Sequence, residues 1–250
     1  MGRRGTATVA ARVAASGGTD SGARSGAEPN GPMPGDRDII PPNVLHAFQR
    51  ALFIADQETA RHAARVGAAA AALGRWMGLP AGEVRLLRAA GILHDLGKLV
   101  VPQEILDKPG PLTADEWVEV RRHPSVGADI LLAVSADLAP LADAVRSHHE
   151  RWDGSGYPDG RAGEQIPLAG RILAVVDVFD AVTCTRSYRT HTLGELEARA
   201  LLVAESGSHF DASVVRTYLA VRATTPTGQT WRRPESGSSA RDPALVEATR

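Results

Sequence analysis

Cysteine is almost absent from this chain: Cys184 is the only one in 250 residues. An internal disulfide framework is therefore excluded, and a lone thiol suits a reducing compartment, so the expected location is the cytoplasm. Aromatic residues make up only 4% of the chain. A core must then be assembled from Ala, Val, Leu and Ile, which favours packed helices over an aromatic-rich β sandwich. No run approaches the roughly 18 consecutive apolar residues that span a bilayer. Arg12 also interrupts the opening segment before an apolar signal core develops. Neither charge sign dominates: the formal net charge is -1, which argues against a long nucleic acid as partner, since that usually demands a basic domain. A local basic pocket for a small phosphate ligand stays allowed. No stretch alternates at period two, and no internal repeat is visible.

The 43% of hydrophobic residues is enough for a sizeable core. Residues 1–39 and 223–250 are rich in Gly, Ala, Ser, Thr, Pro and Arg without a periodic apolar face, so both are expected to be disordered tails around one domain, 40–222. That domain reads as consecutive helices. Phe48, Leu52 and Ala55 share a helical face. A second helix runs from about Gln57 to Met77 and stops at Gly78-Leu79-Pro80, and a third covers about Glu83–His94. Thr113 with Glu116, and Thr192 with Glu195, fit capping boxes that open further helices. Leu168–Thr183 is nearly all apolar and should be central. The expected fold class is all-α. The one long irregular segment is 150–166.

Chemistry concentrates in a few places. His94-Asp95 ends an apolar helix, and an imidazole beside a carboxylate supplies metal-ligand types. For that pair alone, a histidine that merely complements the helix dipole is the better account. Glu58 and His62 are four residues apart, on one helical face. Asp177 stands among Leu173, Val175, Val176 and Phe179, where a bare carboxylate is costly to bury and needs a cation or several donors. A pair with Arg171 or Arg186 is the structural alternative. Asp180 is read as a brace for the loop that follows. His123 precedes Pro124 and so marks a helix break. His148-His149 are adjacent, with side chains about 100° apart on a helix, which suits a cluster in which each serves a different ion. Asp153-Gly154-Ser155-Gly156-Tyr157-Pro158 follows as a tight turn.

Taken in order, His94-Asp95-Leu96-Gly97-Lys98, His123-Pro124, His148-His149-Glu150 with Gly156-Tyr157-Pro158, and Asp177-Val178-Phe179-Asp180-Ala181 through Arg186-Ser187-Tyr188-Arg189 resemble the HD-GYP domain of the HD phosphohydrolase superfamily. The match covers about residues 44–220. The resemblance implies an HD-type bundle of roughly seven or more helices, with the Gly-Tyr-Pro loop beside a metal site. It implies hydrolysis of cyclic di-GMP to pGpG or GMP by a hydroxide bridging two or three divalent ions, Fe or Mn foremost. The ligands it implies are His62, His94, Asp95, His123, His148, His149 and Asp177, with Glu58 for a third ion. Asp95 and Lys98 are the expected catalytic residues, with Arg186, Arg189, Tyr157 and Gly156 around the substrate. Ser187 and Ala212 stand where the family usually has proline. Expected partners are cyclic di-GMP and other signalling proteins, with a dimer allowed and no membrane. An HD hydrolase of another nucleotide, or a non-catalytic module that binds cyclic di-GMP or a partner protein, are the alternatives.

Overall fold

A computed structural model describes residues 39–184 and 192–224. The expected substrate residues Arg186 and Arg189, the Ser187 departure and all of the two predicted tails except Ile39, Ala223 and Thr224 lie outside the described residues; Ala223 and Thr224 belong to the last helix.

The described chain is helical, as the absence of period-two alternation predicts. Helix α1 spans Pro42–Ala55, α2 Gln57–Trp76 and α3 Ala81–Leu93. A 3₁₀ turn at Leu96–Val100 leads to the short α4, Gln103–Leu106. Then come α5 (Ala114–Arg121), α6 (His123–Val134), α7 (Ala139–Ser147), α8 (Leu168–Thr183), α9 (Glu195–Ala204) and α10 (Ala212–Thr224). Among the described residues, β structure is limited to one isolated bridge between Ser206 and Phe210.

Local chemistry sets the boundaries. Asp56 caps α2, its carboxylate accepting from the Glu58 backbone N–H at 2.8 Å. Gly78, at φ +77°, ends that helix in the left-handed region. Thr113 and Glu116 exchange the two bonds of a capping box. The Thr192–Glu195 box does not form. Helix α9 starts at Glu195, and the Gly194 N–H donates to Glu197 Oε2 at 2.8 Å. Glu195 turns instead to Arg222 on α10, 2.9 Å away. A tertiary partner outweighs the local cap.

Helix α8 runs through the middle, with Ile172, Leu173, Val175 and Val176 at 0–1% exposure. It packs on α2, α3 and α7. Burying each such side chain contributes about 1.5–3 kcal/mol. Two close approaches bring the site-bearing segments together. A Cβ on Gly91 of α3 would sit 2.6 Å from the Cα of Gly67 on α2, so the two backbones touch there. A Cβ on Gly97 would sit 2.0 Å from the carbonyl oxygen of His123, so the turn after α3 lies directly against the start of α6.

Candidate metal centre

Most of the expected ligands sit where helices end. His94 follows α3, His123 opens α6 straight after α5, and His148 follows α7. The last carbonyls of a helix lack intrahelical partners. Each of these histidines uses one. Nδ1–H donates to the carbonyl three residues back: His94 to Gly91 at 2.8 Å, His123 to Val120 at 2.7 Å, His148 to Val145 at 2.6 Å. The proton is thereby fixed on Nδ1 and the lone pair on Nε2. His62, in the second turn of α2, is held differently. Its Nδ1 lies 2.7 Å from Asp180, whose carboxylate is gripped by Arg65 through Nε and Nη2, both at 2.8 Å.

The Nε2 atoms converge. Three groups of ligand atoms lie within 4.8 Å of one another: His62, His94 and Asp177; His94, Asp95 and His148; and His123, His148 and His149. Their union is the seven-residue ligand set that the motifs imply. His94 and His148 each belong to two groups, so neighbouring sites would share ligands. Asp95 faces both ways, with Oδ2 3.2 Å from His94 Nε2 and Oδ1 3.4 Å from His123 Nε2. Glu58 is half-buried in the first turn of α2 and belongs to none of the three groups.

The donor set fits divalent cations. His62, His94, Asp95, His123 and His148 are all at most 2% exposed. The Nε2 atoms of His62 and His94 are buried without a hydrogen-bond partner. His62 Nε2 nevertheless lies 2.9 Å from Asp177 Oδ1. His123 Nε2 and His148 Nε2 are 3.3 Å apart, although both rings carry their proton on the far nitrogen. Lone pairs facing one another at such distances repel unless a cation lies among them. Imidazole with carboxylate and no thiolate admits Fe, Mn, Co or Zn.

Electrostatics agree with neutral imidazoles and ionised carboxylates. Burial and the adjacent His149 hold His148 well below the ordinary histidine value. Burial pulls His123 down to about 4 and His149 to about 3. His94 is the exception: burial lowers it, but Asp95 and Asp177 more than compensate and bring it up to about 8. Burial would raise Asp95 and Asp177, yet their imidazole neighbours, with Lys98 beside Asp95, keep both well below the usual carboxylate range.

Around the cluster the other expected residues fall as follows. Lys98 Nζ donates to Asp95 Oδ2 at 2.7 Å. Lys98 also lines a cleft of about 660 Å³ between the α1–α2 corner and the segment after α3, a volume in the usual range for small-ligand sites. The Tyr157 ring stacks on His149 with centroids 4.9 Å apart and planes at 26°. Gly156 is where the loop doubles back: a Cβ would lie 2.3 Å from the Arg151 nitrogen and 2.6 Å from the His149 carbonyl oxygen. Its place therefore has a packing reason.

Three contributions escape sequence reasoning. Asp180 was expected to brace the following loop, but its carboxylate chiefly orients His62, 118 residues away in sequence. Glu150, 2% exposed, clamps the Gly-Tyr-Pro loop by accepting from the backbone N–H groups of Asp159 at 2.7 Å and Arg161 at 3.1 Å. Arg171, the alternative partner for Asp177, pairs with Asp211 at 2.8 Å. Asp211 also caps α10 through the Ser213 N–H, so the cap survives with Ala212 in place of proline. An apolar stretch with one carboxylate signals a buried charge, but long-range pairs leave no local sequence signal.

A helical domain with a buried His/Asp cluster at its helix ends defines a class of metal-dependent phosphohydrolase scaffolds. The HD domain profile matches residues 46–214, and the chain belongs to the HD domain family, which bears out the resemblance drawn from the motifs. Over 188 residues it is 44% identical to a cyclic di-GMP phosphodiesterase of Pseudomonas aeruginosa, covering 75% of this chain and 44% of that protein. It is 36% identical over 191 residues to 3'3'-cGAMP-specific phosphodiesterase 2 of Vibrio cholerae, covering 73% of this chain and 36% of that one. The chain thus spans less than half the length of these relatives. Among solved structures, a cyclic GMP-AMP phosphodiesterase of V. cholerae shares the fold, with a TM-score of 0.55 at 22% identity over 72% of this chain and 48% of that one.

Proposed function

We propose that this domain is a metal-dependent phosphodiesterase that opens cyclic di-GMP to pGpG or GMP, and that it works in the cytoplasm with two or three iron or manganese ions. The observation that carries the reading is the convergence of imidazole Nε2 lone pairs and two carboxylates in a buried space, each of three Nδ1 protons being taken by a helix-end carbonyl.

Divalent ions bound there would lower the pKa of water and offset charge on the phosphate. The protein's own residues do the rest. The helix-end carbonyls and Asp180 hold the imidazoles in one tautomer and one orientation, so no reorganisation is needed when a ligand arrives. Lys98, anchored on Asp95, keeps a charged ammonium at the edge of the cluster, where it stabilises negative charge developing on the phosphate. Tyr157 covers one face of His149 and, with the loop clamped by Glu150, shields that side from water. Arg186 and Arg189 would hold the phosphates with fork-shaped donors, and Glu58 would serve a third ion.

Purified protein loaded with Mn²⁺ or Fe²⁺ should convert cyclic di-GMP to the linear dinucleotide or to GMP, read by chromatography. Asp95→Ala should abolish turnover and lower bound metal. Full activity in that variant would refute the role given to Asp95. A second reading has a specific basis: one relative is named for 3'3'-cGAMP. Parallel assays on cyclic di-GMP, 3'3'-cGAMP and cyclic di-AMP separate the two.

A further inference from the structure

The stack of rings that begins at the cluster continues outward. Tyr157 lies on His149, and the guanidinium carbon of Arg121 sits over the Tyr157 ring, 5.3 Å from its centroid. The same carbon is 5.8 Å from the Trp117 ring. Trp117 and Arg121 are four residues apart on α5, which places them on one face. Both are exposed, Trp117 at 46%.

Among the described residues Arg121 makes no hydrogen bond or ion pair, although acidic residues share its helix. Glu116 is taken by Lys108 at 2.6 Å and Glu119 by Arg122 at 3.0 Å. Among the described residues the guanidinium is thus held by aromatic faces, about 5 Å per step from the imidazole cluster, and its N–H donors meet no acceptor there. A planar guanidinium between π faces keeps its in-plane fork for a ligand. Two N–H groups of that fork match O6 and N7 of guanine, whereas adenine presents a donor at the first position. An exposed indole alongside supplies a face on which a base can stack. The phosphate is already matched by Lys98 and the cluster, which leaves the exposed Arg121 fork for the base.

We propose that Arg121, held between Trp117 and Tyr157, reads the guanine edge of the substrate and makes the site selective for guanine-containing cyclic dinucleotides. This rests on the hydrolytic reading above and adds a specificity-determining residue to it.

Helix α5 buries none of its residues, so substitutions on its face leave the core intact. The experiment compares the full chain with Arg121→Ala, Arg121→Lys and Trp117→Leu, all metal-loaded, on cyclic di-GMP, cyclic di-AMP and the base-free diester bis(p-nitrophenyl) phosphate. In Arg121→Ala the KM for cyclic di-GMP rises about 10- to 100-fold, the worth of one bidentate base contact, with a much smaller change in kcat. The loss exceeds that on the base-free diester about tenfold or more. The preference for cyclic di-GMP over cyclic di-AMP narrows correspondingly. Arg121→Lys keeps the charge but not the fork and does not restore that preference, and Trp117→Leu weakens binding in the same direction. Calorimetric binding of cyclic di-GMP to metal-free protein, weakened by Arg121→Ala, gives a readout independent of turnover. Arg121-dependent binding without hydrolysis would sink the proposed activity and leave the base reading standing. Equal losses on all three diesters, full rescue by lysine, or binding indifferent to Arg121 would overturn the base reading.

Discussion

Asp180 touches none of the converging Nε2 atoms, yet it governs one of them. Its carboxylate lies 2.7 Å from His62 Nδ1 and is itself fixed by two bonds from Arg65. Such an outer partner orients the ring and raises its basicity as a ligand, and losing one typically lowers metal affinity or activity about 10- to 100-fold. Asp180→Asn keeps the shape and removes the charge. A manganese titration should show affinity weakened within that range, and an unchanged isotherm would contradict the role. At this scale the residues that converge were legible in the sequence. Adjacent histidines, a His-Asp pair at a helix end and a carboxylate in an apolar run are each unusual, and their order is shared with a known family. The supports were not legible. Asp180 meets His62 across 118 residues, and Glu150 acts through backbone N–H groups, which no motif announces.

At the scale of elements, the site depends on how closely segments approach. Gly97 lies against the His123 carbonyl and the Gly127 nitrogen with no room for a methyl group. Gly97→Ala must push the turn after α3 away from α6. Overpacking of this kind costs about 1–3 kcal/mol, seen as a lower denaturant midpoint. It should also weaken metal binding, because His123 and Asp95 part. Alanine tolerated there with full metal affinity would mean that the contact does not set the site. Helix extents were readable from periodicity and stop signals: α2, α8 and the Thr113–Glu116 box formed where expected. The Thr192–Glu195 box failed because Glu195 is engaged by Arg222 on another helix. Capping boxes are local, and a distant ion pair can outweigh them.

For the whole molecule, the buried cluster links folding to protons and to metal. His123 falls to about 4 and His149 to about 3 when folded, against about 6.5 in an unfolded chain. Between those values the unfolded chain binds more protons, so the metal-free protein loses stability as pH drops from about 6.5 toward 4. His94, raised to about 8, acts in the opposite sense: its contribution is present below about 6.5 and lost as pH rises through 8. Chelated protein should therefore be most stable between these limits in thermal melts across pH. Added manganese should raise the midpoint, by the equivalent of about 2.7 kcal/mol at a hundred times the dissociation constant. A melting temperature indifferent to both pH and chelator would contradict the linkage.

The most direct test of the central claim is anomalous diffraction from crystals of the full chain grown anaerobically with manganese. The account predicts at least two peaks, each within coordination distance of Nε2 atoms or carboxylate oxygens from His62, His94, Asp95, His123, His148, His149 and Asp177. Crystals showing those side chains in place, with no metal peak among them at saturating manganese, would contradict it.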